Sequence, residues 1–253
     1  MYIQTYGSGP DLVMIHGWGL HGGIFTPLAE LLASSFRLHL VDLPGHGYSH
    51  DDPVPLALDT CVNAIVAEVP EAIWLGWSMG GLFAIHAADT LPSVRGLILV
   101  ASTPKFVRSA DWPNATEPRM LVQFRDDLQR DYGATLDRFL ALDTLGSEHA
   151  QSKLRTMRAA LAERGAPAPA ALQAGLQLLE DTDLRPRLPT LKVPNLWLSG
   201  RRDRQVASAA MRAAADMTPW SRFFEVPGGG HAPFLGQTAT VAEQILAAAG
   251  EMR

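Results

Sequence analysis

The 253-residue chain has a single cysteine, an acidic charge balance and no long apolar run. One cysteine, Cys61, excludes an internal disulfide and is typical of a reducing compartment, so we expect a cytoplasmic protein with Cys61 buried in a helix. The formal net charge of −5 argues against nucleic-acid binding, which requires a basic surface. Because no run of about 18 uncharged apolar residues occurs, we expect no membrane-spanning helix. The first residues also lack the pattern of a signal peptide.

The ligand spacings of common metal sites are missing as well. Neither a CxxC pair nor an HExxH segment occurs, and no histidines and aspartates cluster at metal-ligand spacing. We therefore predict no metal site.

Instead of one long apolar run, the sequence has six short ones. Most of them lack polar alternation, which is typical of strands buried on both faces of a parallel sheet. Helical patterns such as IFTPLAELLASS and GGLFAIHAADTLP separate the runs, so the sequence predicts an α/β fold with a mostly parallel central sheet flanked by helices. The six runs are LVMI (12–15), RLHLV (37–41), AIWL (72–75), GLILV (96–100), NLWLS (195–199) and RFFEV (222–226).

The alternation of strands and helices stops between about residues 103 and 188. This interval contains three or four amphipathic helical patterns and no strand pattern. We therefore predict an all-helical cap, residues 107–185, inserted in a core domain formed by residues 1–106 and 186–253.

The stretch AIWLGWSMGG places Ser78 in a G-x-S-x-G turn between a strand and a helix. Such a turn holds a serine hydroxyl exposed above the edge of a sheet. Gly76 and Gly80 fit this reading because a Cβ at either position would collide with the neighbouring backbone. We predict that Ser78 is a nucleophile.

A serine nucleophile needs a base and a carboxylate that orients the base. His231, in the loop GGGHAPF after the last predicted strand, is the predicted base. Asp203, which follows the preceding strand, is the predicted acid; Asp181 and Asp183 are rivals, but they come before that strand instead of after it. The order Ser78, Asp203, His231 is typical of serine hydrolases of the α/β class.

The segment HGWGL at the end of the first predicted strand supplies a candidate oxyanion hole. We predict that the backbone N–H groups of Trp18 and Met79 bind the oxyanion, the latter at a helix N-terminus. His16 and His46 are read as structural residues of their loops. This chemistry requires no cofactor.

These motifs together, HGWGL, LHLVDLPGHGYS, AIWLGWSMGG, RFLALDTLG and GHAPF, resemble the α/β-hydrolase superfamily over almost the whole chain. The resemblance implies an α/β-hydrolase fold with an all-helical cap, and it places the catalytic residues on Ser78, Asp203 and His231, in agreement with the motifs. It also implies substrate contacts at Trp18, Ser78, Met79, Phe139, Leu140, Ala141, Leu142, Asp143 and His231.

The resemblance further implies a serine carboxylesterase that removes the methyl ester from a pimeloyl chain carried on an acyl-carrier protein, in biotin synthesis. Cap arginines would dock the acidic carrier, and Arg138 and Arg155 match such positions. Ala134 and Gln151 stand where two more basic residues are expected. We expect a monomer.

The same catalytic residues would also suit a general carboxylesterase, a carbon–carbon bond hydrolase or a perhydrolase, and a hydrolase fold can serve as a ligand receptor. An acid in place of Ser78 would be expected in a haloalkane dehalogenase or an epoxide hydrolase. We predict an apolar channel lined by Trp18, Trp77, Phe139 and Leu142, although these residues would serve equally as packing between core and cap.

Overall fold

The computed structural model describes residues 1–145 and 148–252, and its centre is a seven-stranded sheet in the order β1-β3-β2-β4-β5-β6-β7. β1 is antiparallel to β3, and every other neighbouring pair is parallel. The strands are β1 (Ile3–Gly7), β2 (Asp11–Ile15), β3 (Arg37–Val41), β4 (Ala72–Trp77), β5 (Val94–Val100), β6 (Asn195–Gly200) and β7 (Ser221–Val226).

Helices cover both faces of this sheet. α1 and α9 pack on one face, and α2, α3 and α8 pack on the other. The free thiol of Cys61 is buried in α2, as expected. The helices are α1 (Thr26–Leu32), α2 (Leu58–Glu68), α3 (Gly80–Thr90), α4 (Pro118–Arg130), α5 (Tyr132–Thr144), α6 (Ala150–Arg164), α7 (Pro169–Asp181), α8 (Ser208–Met217) and α9 (Thr238–Ala249).

The central strands are buried from both sides, which is why their sequences lack polar alternation. In β2, Leu12 and Met14 face one apolar cluster while Val13 and Ile15 face the other. All six predicted strands are confirmed. The seventh, β1, was missed because IQTYG is a partly exposed edge strand of mixed polarity. Within the described ranges, no helix is long and apolar enough to cross a membrane.

Four helices, α4 to α7, lie between β5 and β6, and no strand separates them in the described part of this interval. An isolated bridge pairs Lys105 with Asp183, so the chain leaves the core and returns to it at neighbouring points. The predicted mostly parallel sheet with an all-helical insertion is confirmed. The cap limits of 107 and 185 stay a prediction.

Helix α6 is fastened to the core by buried polar contacts. Arg164, the last residue of α6, forms an ion pair with Asp42 at 3.0 Å, and both side chains are almost fully buried. The imidazole of His21 donates from Nε2 to the carbonyl of Ala160 at 2.7 Å. A buried pair of this kind is costly to break, because either partner alone is left as an uncompensated charge.

Candidate active site

Ser78 lies at the sharp turn between β4 and α3, with a positive φ of 52°. A residue other than glycine adopts this left-handed backbone conformation only at a cost of about 1–3 kcal/mol, and such strain is concentrated at functional sites. Three hydrogen bonds hold the turn. The Ser78 N–H donates to Val100 O at 3.0 Å, and the Ser78 carbonyl accepts from Gly81 N at 3.0 Å and from Ser102 Oγ at 2.7 Å. The sheet therefore fixes the direction of the hydroxyl.

Both glycines of the turn are required, as predicted. A Cβ added at Gly76 would lie 2.4 Å from the carbonyl oxygen of Gly80, and a Cβ at Gly80 would lie 2.2 Å from the carbonyl oxygen of Ile15. Backbone atoms on both sides leave no room for relaxation. Substitution of either glycine would displace Ser78.

His231 connects the serine to a carboxylate. Its Nε2 lies 2.9 Å from Ser78 Oγ and its Nδ1 lies 2.9 Å from Asp203 Oδ2. The imidazole and the carboxylate are buried. With the proton on Nδ1, the ring donates to Asp203 and leaves Nε2 free to accept the proton of Ser78.

The predicted acid, Asp203, is held by its own loop. Asp203 Oδ1 accepts hydrogen bonds from the backbone N–H groups of Gln205 at 2.8 Å and Val206 at 3.0 Å. The rivals lie in other contacts, since Asp183 pairs with Arg185 and Asp181 accepts from the side chain of Gln177. Of the three aspartates considered from the sequence, Asp203 is the one brought to the imidazole.

Two opposing effects act on the pKa of His231. Burial disfavours the imidazolium, but the charge of Asp203, the hydrogen bond to it and the charge of Asp143 outweigh burial, so the pKa of His231 is raised. The site is therefore built to stabilise a proton on this ring. That is the charge that a general base acquires in the transition state.

The predicted oxyanion donors lie beside the serine. Met79 is the N-cap of α3, and Trp18 follows Gly17 in the loop after β2. No hydrogen bond from either backbone N–H to another group is found within residues 1–145 and 148–252. A Cβ at Gly17 would lie 3.1 Å from Ser78 Cβ, so the loop passes close to the predicted nucleophile.

An apolar cavity of about 370 Å³ opens above the serine, between the core and the cap. Trp18 forms one wall of the cavity. Its ring centroid lies 5.2 Å from that of Phe124 and 4.7 Å from that of Phe139, in edge-to-face contacts. The indole Nε1 donates a hydrogen bond to Leu172 O at 2.9 Å. The lining comprises Trp18, Ser78, Phe106, Asn114, Ala115, Thr116, Glu117, Met120, Leu121, Phe124, Phe139, Leu142, Leu176, Leu179, Asp203, Arg204, Gln205, Val206, Ala207 and His231.

The predicted substrate segment 139–143 divides between the cavity and the interior. Phe139 and Leu142, three residues apart on one face of α5, line the cavity. Leu140 packs into the apolar cluster on the α1 and α9 side of the sheet, and Asp143 is buried against Gln205. Ala141 is not part of the lining either. Substrate contacts at Leu140, Ala141 and Asp143 stay predictions.

The predicted channel residue Trp77 lies outside the cavity. Its indole N–H donates a hydrogen bond to the carbonyl oxygen of His231 at 2.8 Å. Its ring packs edge-to-face on Phe234, with the ring centroids 5.2 Å apart. Side chains alternate along β4, so the residue before Ser78 faces the cluster below the sheet edge. Trp77 supports the loop of the base, and the expectation of a channel contact was wrong for this residue.

His16 and His46 form a buried pair near the site, with ring centroids 5.0 Å apart. His16 donates from Nδ1 to Gly17 O and accepts at Nε2 from the N–H of Leu43. Burial lowers the pKa of His16 well below its usual value and lowers that of His46 to about 4. Both rings are neutral near pH 7, and they join the loops after β2 and β3, as their structural reading predicted.

The two predicted docking residues differ in their surroundings. Arg138 is exposed on α5 and pairs with Asp127 at 3.2 Å. Arg155 is exposed on α6, and no partner is found for it within the described parts of the chain. Both lie on the outer surface of the cap. Their part in docking stays a prediction.

Several cavity residues were not predicted as functional. Met120 and Phe124 had helical spacing, which indicated only that α4 packs on its neighbours. Gln205 and Val206 lie two and three residues after Asp203, so the loop of the predicted acid was the available signal. No group of three or more potential metal ligands occurs within the described residues.

The chain is similar to known proteins over almost its whole length. A model of the alpha/beta hydrolase family matches residues 12–244. The chain is similar to pimeloyl-[acyl-carrier protein] methyl ester esterases of Xanthomonas campestris pv. campestris (strain B100) and Xanthomonas oryzae pv. oryzae (strain MAFF 311018), with 59% and 58% identity. Each match covers 97% of this chain and 97% of the relative.

Among solved structures, an esterase from Exiguobacterium antarcticum superimposes with a TM-score of 0.87 at 24% identity. The match covers 97% of this chain and 94% of that one. At this identity the similarity concerns the fold alone.

Proposed function

Because this chain belongs to the alpha/beta hydrolase family, we propose that it is a serine carboxylesterase that removes the methyl ester from a pimeloyl chain carried on an acyl-carrier protein. The observation that carries this proposal is the continuous line from Ser78 Oγ through His231 to Asp203 at the floor of an apolar cavity. The substrate is supported by relatives with 58% and 59% identity over 97% of the chain, which are named pimeloyl-[acyl-carrier protein] methyl ester esterases. The pathway would then be biotin synthesis.

The reaction proceeds in two acyl-transfer steps. Ser78 Oγ attacks the ester carbonyl carbon while His231 Nε2 takes the hydroxyl proton, and the resulting oxyanion accepts hydrogen bonds from the N–H groups of Trp18 and Met79. His231 gives its proton to the methoxy oxygen, so methanol leaves and an acyl-serine remains. Water then attacks the acyl-serine, with His231 again as the base, and Ser78 is restored. Each oxyanion donor stabilises the transition state by about 3 kcal/mol.

The cavity suits the acyl part of this substrate. Phe106, Phe124, Phe139 and Leu176 form walls with few polar groups, and a chain of methylene groups is stabilised by about 0.8 kcal/mol for each group that it buries. A carrier protein is too large to enter a space of about 370 Å³. The carrier therefore stays outside, with the methyl ester end inserted toward Ser78.

We place the docked carrier on the outer face of the cap, where Arg138 and Arg155 are exposed. Positive charges there would attract an acidic partner and raise its association rate. The chemistry uses the side chains and amides of this chain alone, without metal or cofactor. A cytoplasmic location fits the single buried thiol, and we expect a monomer.

The test compares two substrates on the purified protein. Methanol released from pimeloyl-carrier methyl ester and nitrophenol released from a short p-nitrophenyl ester are measured, with Ser78→Ala as the inactive control. We expect a much higher kcat/KM for the carrier-bound ester. Equal or better turnover of the short ester would instead indicate a general carboxylesterase.

Growth provides a second readout. The wild-type gene should restore growth without biotin to a bacterium that lacks its own esterase for this step, and the Ser78→Ala gene should not.

In the assay on the purified protein, stoichiometric product without further cycles would indicate a ligand receptor. Turnover retained by Ser78→Ala would remove the nucleophile from the proposal.

A further inference from the structure

A second carboxyl group, on Asp143 near the end of α5, lies next to the catalytic residues and has no part in the acyl-transfer steps. It is only 1% exposed. One oxygen, Oδ1, accepts a hydrogen bond from the side-chain amide of Gln205. The other, Oδ2, is buried and has no hydrogen-bond partner within residues 1–145 and 148–252.

Gln205 links this carboxyl group to the catalytic acid. The backbone N–H of Gln205 donates to Asp203 Oδ1 at 2.8 Å, while its side chain donates to Asp143. Asp203 Oδ2 in turn accepts from His231. A single core residue therefore touches both the acid of the site and a residue of the cap.

The electrostatic interaction between Asp143 and His231 is reciprocal. Burial raises the pKa of Asp143 to about 7; the charge of His231 and the hydrogen bond from Gln205 oppose this rise, and the charge of Asp203 adds to it. In the other direction, Asp143 contributes to the raised pKa of His231. The other charged side chains that line the neighbouring cavity are Glu117 and Arg204.

A purely structural role explains this residue poorly. A buried carboxyl oxygen without a hydrogen bond costs free energy that an apolar side chain would avoid. A negative charge beside an imidazole, by contrast, stabilises the imidazolium that forms each time the ring takes a proton.

We propose that Asp143 is a positioning residue of the reaction, whose carboxylate stabilises the protonated form of His231 and, through Gln205, joins cap helix α5 to the loop that carries Asp203. This role rests on the function proposed above, because it assumes that His231 is the base. The two carboxylates differ in their parts: Asp203 fixes the tautomer by a direct hydrogen bond, and Asp143 adds charge from the cap side.

The test uses Asp143→Asn, which keeps the size of the side chain and removes its charge. Asp126→Asn is the matched control, since Asp126 is an exposed cap aspartate on α4. A short p-nitrophenyl ester is the substrate, so that carrier docking plays no part. The kcat and kcat/KM values are measured from about pH 5 to about pH 9, which covers the ionisation of a catalytic histidine. The imidazole of His231 is titrated in parallel by NMR.

We expect Asp143→Asn to change both the plateau of kcat and the pH of the acid limb of kcat/KM. The plateau of kcat falls by roughly three- to tenfold, because the imidazolium of the transition state loses a stabilising charge. The acid limb of kcat/KM moves to lower pH, because an uncharged residue 143 no longer favours protonation of His231. The NMR titration of His231 moves in the same direction, and Asp126→Asn matches the wild type.

An unchanged titration of His231 in Asp143→Asn would overturn the proposal, as would a lower plateau with an unmoved acid limb. If the variant does not fold, the wild-type titration decides: the His231 resonances must report a second ionisation, that of Asp143, and a single ionisation contradicts the proposal. The NMR readout does not need turnover. A wild-type protein without esterase activity would therefore disprove the proposed function without deciding the interaction of Asp143 with His231.

Discussion

Strand β4, which ends just before Ser78 at the cavity, and cap helix α4, which lines the cavity, differ sharply in burial. All six residues of β4 are buried, whereas Leu128 is the one buried residue among the 13 of α4. The serine that follows β4 is fixed by backbone hydrogen bonds and by glycines that admit no Cβ. The wall provided by α4 consists of side chains such as Met120, which is 59% exposed.

This difference separates two tasks. A nucleophile must be held within a fraction of an ångström, because misplacement by about 1 Å lowers the rate strongly. A wall for a flexible acyl chain needs apolar surface and tolerates adjustment. Changes at the turn of Ser78 should therefore lower kcat, and changes in cap side chains that only line the cavity should raise KM.

The largest effect is expected from Asp203→Asn. An amide at this position can present an N–H to His231 Nδ1 and favour the tautomer that donates toward Ser78, which leaves no base for the hydroxyl proton. We expect kcat to fall by roughly 10⁴-fold with little change in KM. Steady-state kinetics measures this loss, and a circular dichroism melt checks that the fold is retained. A loss below tenfold would remove Asp203 from the catalytic line.

The next largest effect is expected at α6. Unlike α4, this cap helix forms a buried ion pair with the core, between Arg164 and Asp42. Arg164→Met removes the partner of Asp42 and leaves a buried carboxylate with the backbone N–H groups of Gly22 and Tyr48. We expect the free energy of unfolding to fall by about 3–5 kcal/mol. Urea denaturation provides the measurement.

A matched control lies on the same helix. Arg158 forms a bidentate ion pair with Asp137 on the surface, and both side chains are about half exposed. Arg158→Met should lower the free energy of unfolding far less than Arg164→Met does, because water screens an exposed ion pair. Equal losses in the two variants would mean that the buried pair is no more important than a surface pair.

The same contrast explains what could be predicted from the sequence. The meeting of Ser78, Asp203 and His231 could be predicted because each lies in the turn or loop after a strand, and the carboxyl ends of parallel strands meet at one edge of the sheet. The glycines at 76 and 80 indicated the turn locally. The fold class could be predicted from the alternation of apolar runs and helices. Of the seven strands, only the edge strand β1 was not predicted.

The interior of the cap could not be predicted in this way. Helical spacing indicates which residues share a face, but not the element on which the face packs, so Leu140 and Leu142 looked equivalent. Contacts such as that of Arg164 with Asp42, 122 residues apart, have no local signature. The Asp143–Gln205 contact depends on the rotation of α5 about its axis, which tertiary packing sets.

A smaller effect is expected at the cavity wall. Phe139→Ala removes the ring that contacts Trp18 and Phe124, and the acyl chain loses apolar surface. We expect KM for the carrier-bound ester to rise by roughly tenfold, equivalent to about 1.4 kcal/mol, with kcat within about twofold of the wild type. Val122→Ala, an exposed position on α4, is the control and should leave both constants unchanged. A loss confined to kcat would show that Phe139 orders the residues around Ser78 instead of only binding the chain.

The smallest effect concerns the outer face of the cap. Arg155→Glu reverses an exposed charge, so KM for the carrier-bound ester should rise by roughly threefold at low salt and return toward the wild-type value as salt screens the interaction. The same variant should hydrolyse a short p-nitrophenyl ester normally, because that substrate needs no docking. Lys192→Glu is the matched control, since Lys192 is exposed just before β6, at the sheet edge opposite to Asp203. If both variants raise KM alike, the effect comes from net charge and the carrier does not dock at Arg155.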